Sequence, residues 1–75
     1  MEDTKIKKEF KFKNFDESLI FVNRVGVLAK EEKHHPTITI IYDKVRITLS
    51  THAIGGLSEN DFIMAAKIDQ LNQVY

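Results

Sequence analysis

The chain contains no cysteine, a single proline and three glycines in 75 residues. Without cysteine it can form neither disulfides nor thiolate metal sites, and it has no thiol nucleophile. Neither sign of charge dominates. Eleven basic and eleven acidic residues cancel, which argues against bulk electrostatic attraction to nucleic acid or to an anionic membrane. Apolar runs such as Leu19 to Val22 are far too short to span a bilayer. The opening Met1-Glu2-Asp3-Thr4-Lys5 lacks the apolar segment of a signal peptide, so a cytoplasmic protein is expected. With Pro36 as the only proline and glycines only at 26, 55 and 56, no linker, repeat or low-complexity tract is visible. A single domain over residues 1–75 is expected. What is present, 43% hydrophobic and 29% charged residues, is the composition of an ordinary globular protein. So short a chain buries only ~60% of its surface on folding, and with no disulfide to brace it, self-association is the remaining common support.

Residues Ile6 to Lys13 alternate, with Ile6, Phe10 and Phe12 on one side and Lys7, Glu9, Lys11 and Lys13 on the other. That period of two predicts a half-buried strand whose aromatics face the core. Asn14 can cap a helix that follows, and Glu17, three residues later, can reach back as in a capping box. On a helical wheel Phe15, Leu19, Val22, Gly26 and Ala29 share one side, and Phe21, Val25 and Leu28 widen the apolar arc to about half the circumference. Ile20 and Val27 fall on the otherwise polar side, where they suggest a contact between subunits. The stretch Thr37 to His52 reads as a β-hairpin. A two-residue turn at Asp43-Lys44 would pair Tyr42 with Val45, Ile40 with Ile47 and Ile38 with Leu49, all apolar. After Gly55-Gly56, Ser58 can cap a second helix with Asp61 three residues on. Met64, Ala65, Ile68, Leu71 and Tyr75 would form its buried stripe. The order strand-helix-strand-strand-helix predicts an α+β domain, an antiparallel β-sheet with two helices packed on one face.

All three histidines fall at the ends of this hairpin. In the register just given His35 would lie across from His52 on the polar face, with His34 at the strand entry. Three clustered imidazoles on a polar face are poorly explained as core packing. Metal binding is the weaker alternative, because adjacent residues in an extended segment project to opposite faces and His34-His35 is a poor chelating pair. Ser50 and Ser58 lack a nucleophile-elbow context, and Gly55-Gly56 is no phosphate loop. Acid–base work without a metal remains: one neutral imidazole takes a proton while another, protonated, gives one. A reaction that protonates a leaving hydroxyl while a neighbouring nitrogen loses its proton needs such a pair.

Several segments together carry a family resemblance. They are Phe21-Val22-Asn23-Arg24-Val25, Ala29, His34-His35-Pro36, Tyr42, Lys44-Val45, Thr48-Leu49-Ser50-Thr51-His52 and Gly56-Leu57-Ser58-Glu59-x-Asp61. From about Glu9 to Ile68 the chain resembles pterin-4a-carbinolamine dehydratase. The resemblance implies conversion of 4a-hydroxytetrahydropterin to quinonoid dihydropterin and water, in tetrahydrobiopterin recycling. It implies no metal and no organic cofactor. By position, His34 and His52 are implied as the acid–base pair and His35 as the residue that orients the pterin. Lys33 and the segment Ser50, Thr51, His52 and Ala53 are implied to line the pocket. Asp61 matches a family acidic position, although helix capping accounts for it as well. The resemblance also implies a homodimer or homotetramer, joined through sheet edges and helices, with a reduced pterin as substrate and no direct nucleic-acid or membrane partner. Family members usually carry a further helix and strand ahead of the first strand read here, so a short, N-terminally reduced member is expected. Lys30, Lys33 and Ala53 stand where many members have acidic residues. The alternative from a different class is a non-catalytic interaction module, since some relatives serve as dimerisation partners of a transcription factor.

Overall fold

A computed structural model of the chain describes residues 5–50 and 59–73. Its elements follow in the expected order: β1 (Ile6–Lys11), α1 (Phe15–Glu32), β2 (Thr37–Ile41), β3 (Lys44–Leu49) and α2 (Glu59–Gln73). The three strands form one antiparallel sheet in the order β1-β3-β2. Both helices pack on the same face, α1 against β2 and β3, and α2 against β1 and α1.

β1 alternates as its sequence demands: Ile6, Lys8 and Phe10 are half-buried and Lys7, Glu9 and Lys11 are exposed. Lys8 is the polar residue on the helix-facing side, and its Nζ donates to Asp69 Oδ2 of α2 at 2.9 Å. α1 opens on Asn14, in extended conformation, whose Oδ1 accepts from the Glu17 N–H at 2.9 Å. Glu17 reaches back one residue further than in a standard capping box, and its Oε1 accepts from the Lys13 N–H at 3.1 Å. Two otherwise orphaned donors are thereby satisfied.

The core is one cluster of Phe21, Val25 and Ala29 from α1, Val45, Ile47 and Leu49 from β3, and Met64, Ala65 and Ile68 from α2. Phe21 is fully buried. Its ring lies with its centroid 4.8 Å from that of Phe10 and 5.0 Å from that of Phe12, tilted by 51° and 40°, a favoured aromatic arrangement. This docking sets the rotation of α1 differently from the wheel reading. Phe15 and Leu19, expected on the buried side, are 41% and 39% exposed, while Ser18 is buried. Ser18 is tolerated there because its Oγ donates to the Asn14 carbonyl at 3.3 Å, a local bond that needs no water. The α2 stripe agrees with expectation at Met64, Ala65 and Ile68, with Leu71 half-buried. Tyr75 and the expected cap Ser58 lie outside the described residues.

The hairpin register differs from the expected one by two residues. Ile38 pairs with Ile47, Ile40 with Val45 and Ile41 with Lys44, so the turn is Tyr42-Asp43 and not Asp43-Lys44. Tyr42 has a positive φ of 50° and is 64% exposed, in the turn and not in an apolar pair. The Asp43 carbonyl accepts from the Phe12 N–H at 2.7 Å, which anchors the turn to the end of β1. A slip of two leaves every side chain on its original face, because strand side chains alternate with period two. Face patterning therefore could not discriminate between the two registers. Leu49, expected to face Ile38, instead pairs with Ile6 across the β1–β3 ladder.

Candidate functional site

The C-terminus of α1 is closed by a reversal that delivers the first histidine. Lys33 adopts the left-handed conformation (φ 54°, ψ 39°), with its N–H directed to the Ala29 and Lys30 carbonyls. The next N–H, that of His34, donates to the Ala29 carbonyl at 3.1 Å. This six-residue closure satisfies the last carbonyls and turns the chain sharply out of the helix. A glycine is usual at such a position, and lysine there costs about 1–2 kcal/mol.

The imidazole so placed meets the first turn of α2. His34 Nε2 lies 2.5 Å from Asp61 Oδ1, between residues 27 apart in sequence. The Asp61 side chain is fully buried and that of His34 only 18% exposed. A buried carboxylate persists only when it is paired or hydrogen-bonded. In its neutral form His34 donates Nε2–H to Asp61, which fixes the tautomer and leaves the Nδ1 lone pair as the acceptor. Two residues before His34, at the last residue of α1, Glu32 Oε2 accepts from Lys67 Nζ of α2 at 2.6 Å, so two links tie the end of α1 to α2.

Of the residues expected to form the site, Lys33 and His35 are exposed, His34 is partly buried, and Ser50, just beyond β3, is half-buried. Thr51, His52 and Ala53 lie outside the described residues. The expected alignment of His35 with His52 rested on a register that the hairpin corrects, since Thr37 pairs with Thr48, and His52 itself lies outside the described residues. Asp61 was legible as a helix cap and as a match to a family acidic position. Its spacing held the stronger signal, since Asp61, Met64, Ala65 and Ile68 share one helical face. An acid on an otherwise apolar stripe implies a buried partner. Among the described residues, no three of His, Cys, Asp and Glu are grouped to hold a metal ion. An open depression of about 490 Å³ lies on the outer sheet face, between Lys7, Glu9, Thr39, Arg46 and Thr48. It has no imidazole in its wall, so the histidine–carboxylate pair defines the candidate site.

A three-stranded antiparallel sheet backed by two helices, with an imidazole gripped where the helices meet, places the molecule among pterin dehydratase-like α+β domains. The family model described as Pterin 4 alpha carbinolamine dehydratase matches residues 1–71, and the chain belongs to that family. A relative from Nitrosospira multiformis, provisionally named a pterin-4-alpha-carbinolamine dehydratase, is 56% identical over 69 residues, covering 92% of this chain and 61% of its own length. One from Sulfolobus acidocaldarius with the same provisional name is 47% identical over 70 residues, covering 93% of this chain and 77% of its own. The chain thus spans about 61% of the length of several of the curated relatives it matches. Among solved structures, a Brucella melitensis protein described as a transcriptional coactivator/pterin dehydratase superposes with a TM-score of 0.86 at 33% identity, covering 92% of this chain and 73% of that one. A pterin dehydratase-like protein, described as a RuBisCO assembly factor in the alpha-carboxysome, superposes with a TM-score of 0.77 at 26% identity, covering 89% and 77%.

Proposed function

We propose that the chain is a cytoplasmic dehydratase that converts a 4a-hydroxytetrahydropterin to quinonoid dihydropterin and water, in tetrahydrobiopterin recycling. The observation that carries this reading is the contact between His34 Nε2 and the buried Asp61 carboxylate. In this mechanism Asp61 holds the ring, and His34 Nδ1 takes the proton from the nitrogen beside the carbinol carbon. His52 gives a proton to the departing hydroxyl. The carbon–oxygen bond breaks as the carbon–nitrogen double bond forms, and one water leaves, so the overall reaction needs no oxidant or reductant. General acid–base assistance of this kind is worth ~10²–10⁴-fold. His35 orients the pterin, and Lys33, Ser50, Thr51 and Ala53 line its pocket.

The anchors of the segment 51–58 support the role given to His52. β3 ends beside the entry to β2, since Thr48 pairs with Thr37, and α2 begins at Glu59, two residues before Asp61. The end of β3 and the start of α2, which flank that segment in sequence, therefore lie near the elements that position His34. The test is the rate of carbinolamine dehydration by the wild type, His34→Ala and His52→Ala. Activity well above background in the wild type and near background in both variants is expected. A wild-type rate equal to the uncatalysed one overturns the proposal.

A second reading rests on a different surface. Ile20 and Val27 of α1 are 46% and 58% exposed, an apolar face suited to a subunit contact in a homodimer or homotetramer. The coactivator description of the Brucella relative makes the same face a candidate for a non-catalytic interaction module. A stable protein complex that survives replacement of all three histidines, and is lost with Val27→Glu, would favour that reading.

A further inference from the structure

The two faces of the sheet differ in charge. The helices cover the inner one. The outer one carries Lys7, Glu9 and Lys11 of β1, Thr37, Thr39 and Ile41 of β2, and Lys44, Arg46 and Thr48 of β3. Four of these nine side chains are cationic and one is acidic, although the chain as a whole is neutral. Lys11 stands directly across from Lys44, and like charges so placed destabilise a sheet. Among the described residues, Lys7, Lys11 and Lys44 have no ion-pair partner. The ladder sets Arg46 between Glu9 and Thr39, and Thr48 between Lys7 and Thr37. The depression of about 490 Å³ lies over these two rows.

We propose that this depression binds the phosphate group of a small phosphorylated molecule, held by Arg46, Lys7 and the hydroxyls of Thr39 and Thr48. Glu9 Oε2 accepts from Arg46 Nε at 2.7 Å, which orients the guanidinium and leaves its terminal nitrogens as donors. Such a fork matches the oxygens of a phosphate. Thr48 is the next outward-facing residue along β3, about 7 Å from Arg46, and Lys7 and Thr39 stand on the two flanking strands. Donors therefore surround one gap from both sides. Lys11 and Lys44, one row beyond Arg46, add to the positive field. Glu9 already registers that field: the hydrogen bond from Arg46, with the charges of Arg46 and Lys44, holds its carboxyl below the ordinary range. A depression of this size suits a small ligand. The outer face has no aromatic side chain among its nine residues, so it lacks the stacking platform that single-stranded nucleic acid uses. Ile41, 45% exposed, and the threonine methyls along β2 offer an apolar strip to the organic part of the ligand.

The depression lies on the side of the sheet away from the helices and the His34–Asp61 pair, so its test uses no pterin and is independent of the dehydratase reading. Backbone amide NMR signals are followed at constant ionic strength during titration with ribose 5-phosphate, and in parallel with inorganic phosphate, acetate and an oligothymidylate. Saturable shifts at Thr39, Arg46 and Thr48 are expected with ribose 5-phosphate, weaker ones with inorganic phosphate, and none with acetate. Arg46→Gln is expected to weaken binding about tenfold or more. Thr39→Val combined with Thr48→Val leaves every charge in place and is expected to weaken it several-fold. Lys30→Gln removes one exposed cation from α1 and is expected to bind as the wild type does. Absence of saturable shifts on the outer face with both phosphates overturns the proposal. Equal weakening by Lys30→Gln also overturns it, because diffuse charge attraction would then account for the binding. So does tighter binding of the oligothymidylate, which would assign the face to nucleic acid.

Discussion

His34 Nε2 stands 2.5 Å from Oδ1 of Asp61, a carboxylate wholly removed from solvent. The contact exists because both helices lie on one face of the sheet, so that the end of α1 and the first turn of α2 meet there. The left-handed Lys33 then turns His34 toward α2. A histidine with one nitrogen engaged in this way is oriented, and its other nitrogen is available for proton transfer.

Asp61→Asn tests the orienting role. The amide is nearly the same size but can present either oxygen or nitrogen to His34, so the tautomer is no longer fixed. The dehydration kcat is expected to fall on the order of 10²-fold or more, with KM little changed, because binding of the pterin is assigned to other residues. A matching melting temperature for the two proteins separates this effect from unfolding. An unchanged kcat would remove Asp61 from the mechanism.

Lys33→Gly separates backbone geometry from binding. Glycine takes the left-handed conformation without a side-chain penalty, and a gain of about 1 kcal/mol is expected in urea denaturation, after allowance for its greater freedom when unfolded. If Lys33 also lines the pterin pocket, the same variant raises KM while it stabilises the fold. Opposite movements in the two measurements distinguish the roles.

Phe21→Ala tests the packing that sets the rotation of α1. The ring is fully buried between Phe10 and Phe12, and its loss is expected to cost about 3–5 kcal/mol. A small domain has a total stability of only about 5–15 kcal/mol. Denaturant titration should find the variant partly or wholly unfolded, whereas Phe21→Leu retains a cooperative transition at lower denaturant.

The outer sheet face carries a pH-dependent pair. Arg46 Nε donates to Glu9 Oε2 at 2.7 Å, and this hydrogen bond, aided by the nearby charges of Arg46 and Lys44, holds the Glu9 carboxyl below its ordinary range. A carboxyl whose folded pKa lies below its unfolded one stabilises the fold above the unfolded pKa, and that contribution is lost as pH falls through the folded pKa. Melting temperatures of wild type and Glu9→Gln should therefore differ most near neutral pH and converge in acid. The difference is expected to be small because both side chains are exposed, and to shrink further in high salt.

Local chemistry made much of this molecule readable in advance. The alternation Ile6-x-x-x-Phe10-x-Phe12, the Asn14 cap and the Met64-to-Ile68 stripe each follow from a repeat of two or 3.6 residues and from the orphan donors of a helix start. The sheet-and-two-helices layer arrangement follows in turn, since each apolar face must be covered. Tertiary structure decided the remainder. The turn at Tyr42-Asp43 was invisible to a pattern that repeats every two residues. The rotation of α1 was open because its apolar arc is so broad, and Phe21 settled it by docking against Phe10 of β1 and Phe12 just beyond it. The partner of Asp61 was open for the same reason: spacing along a chain says which side a residue faces, but only packing says what it meets there.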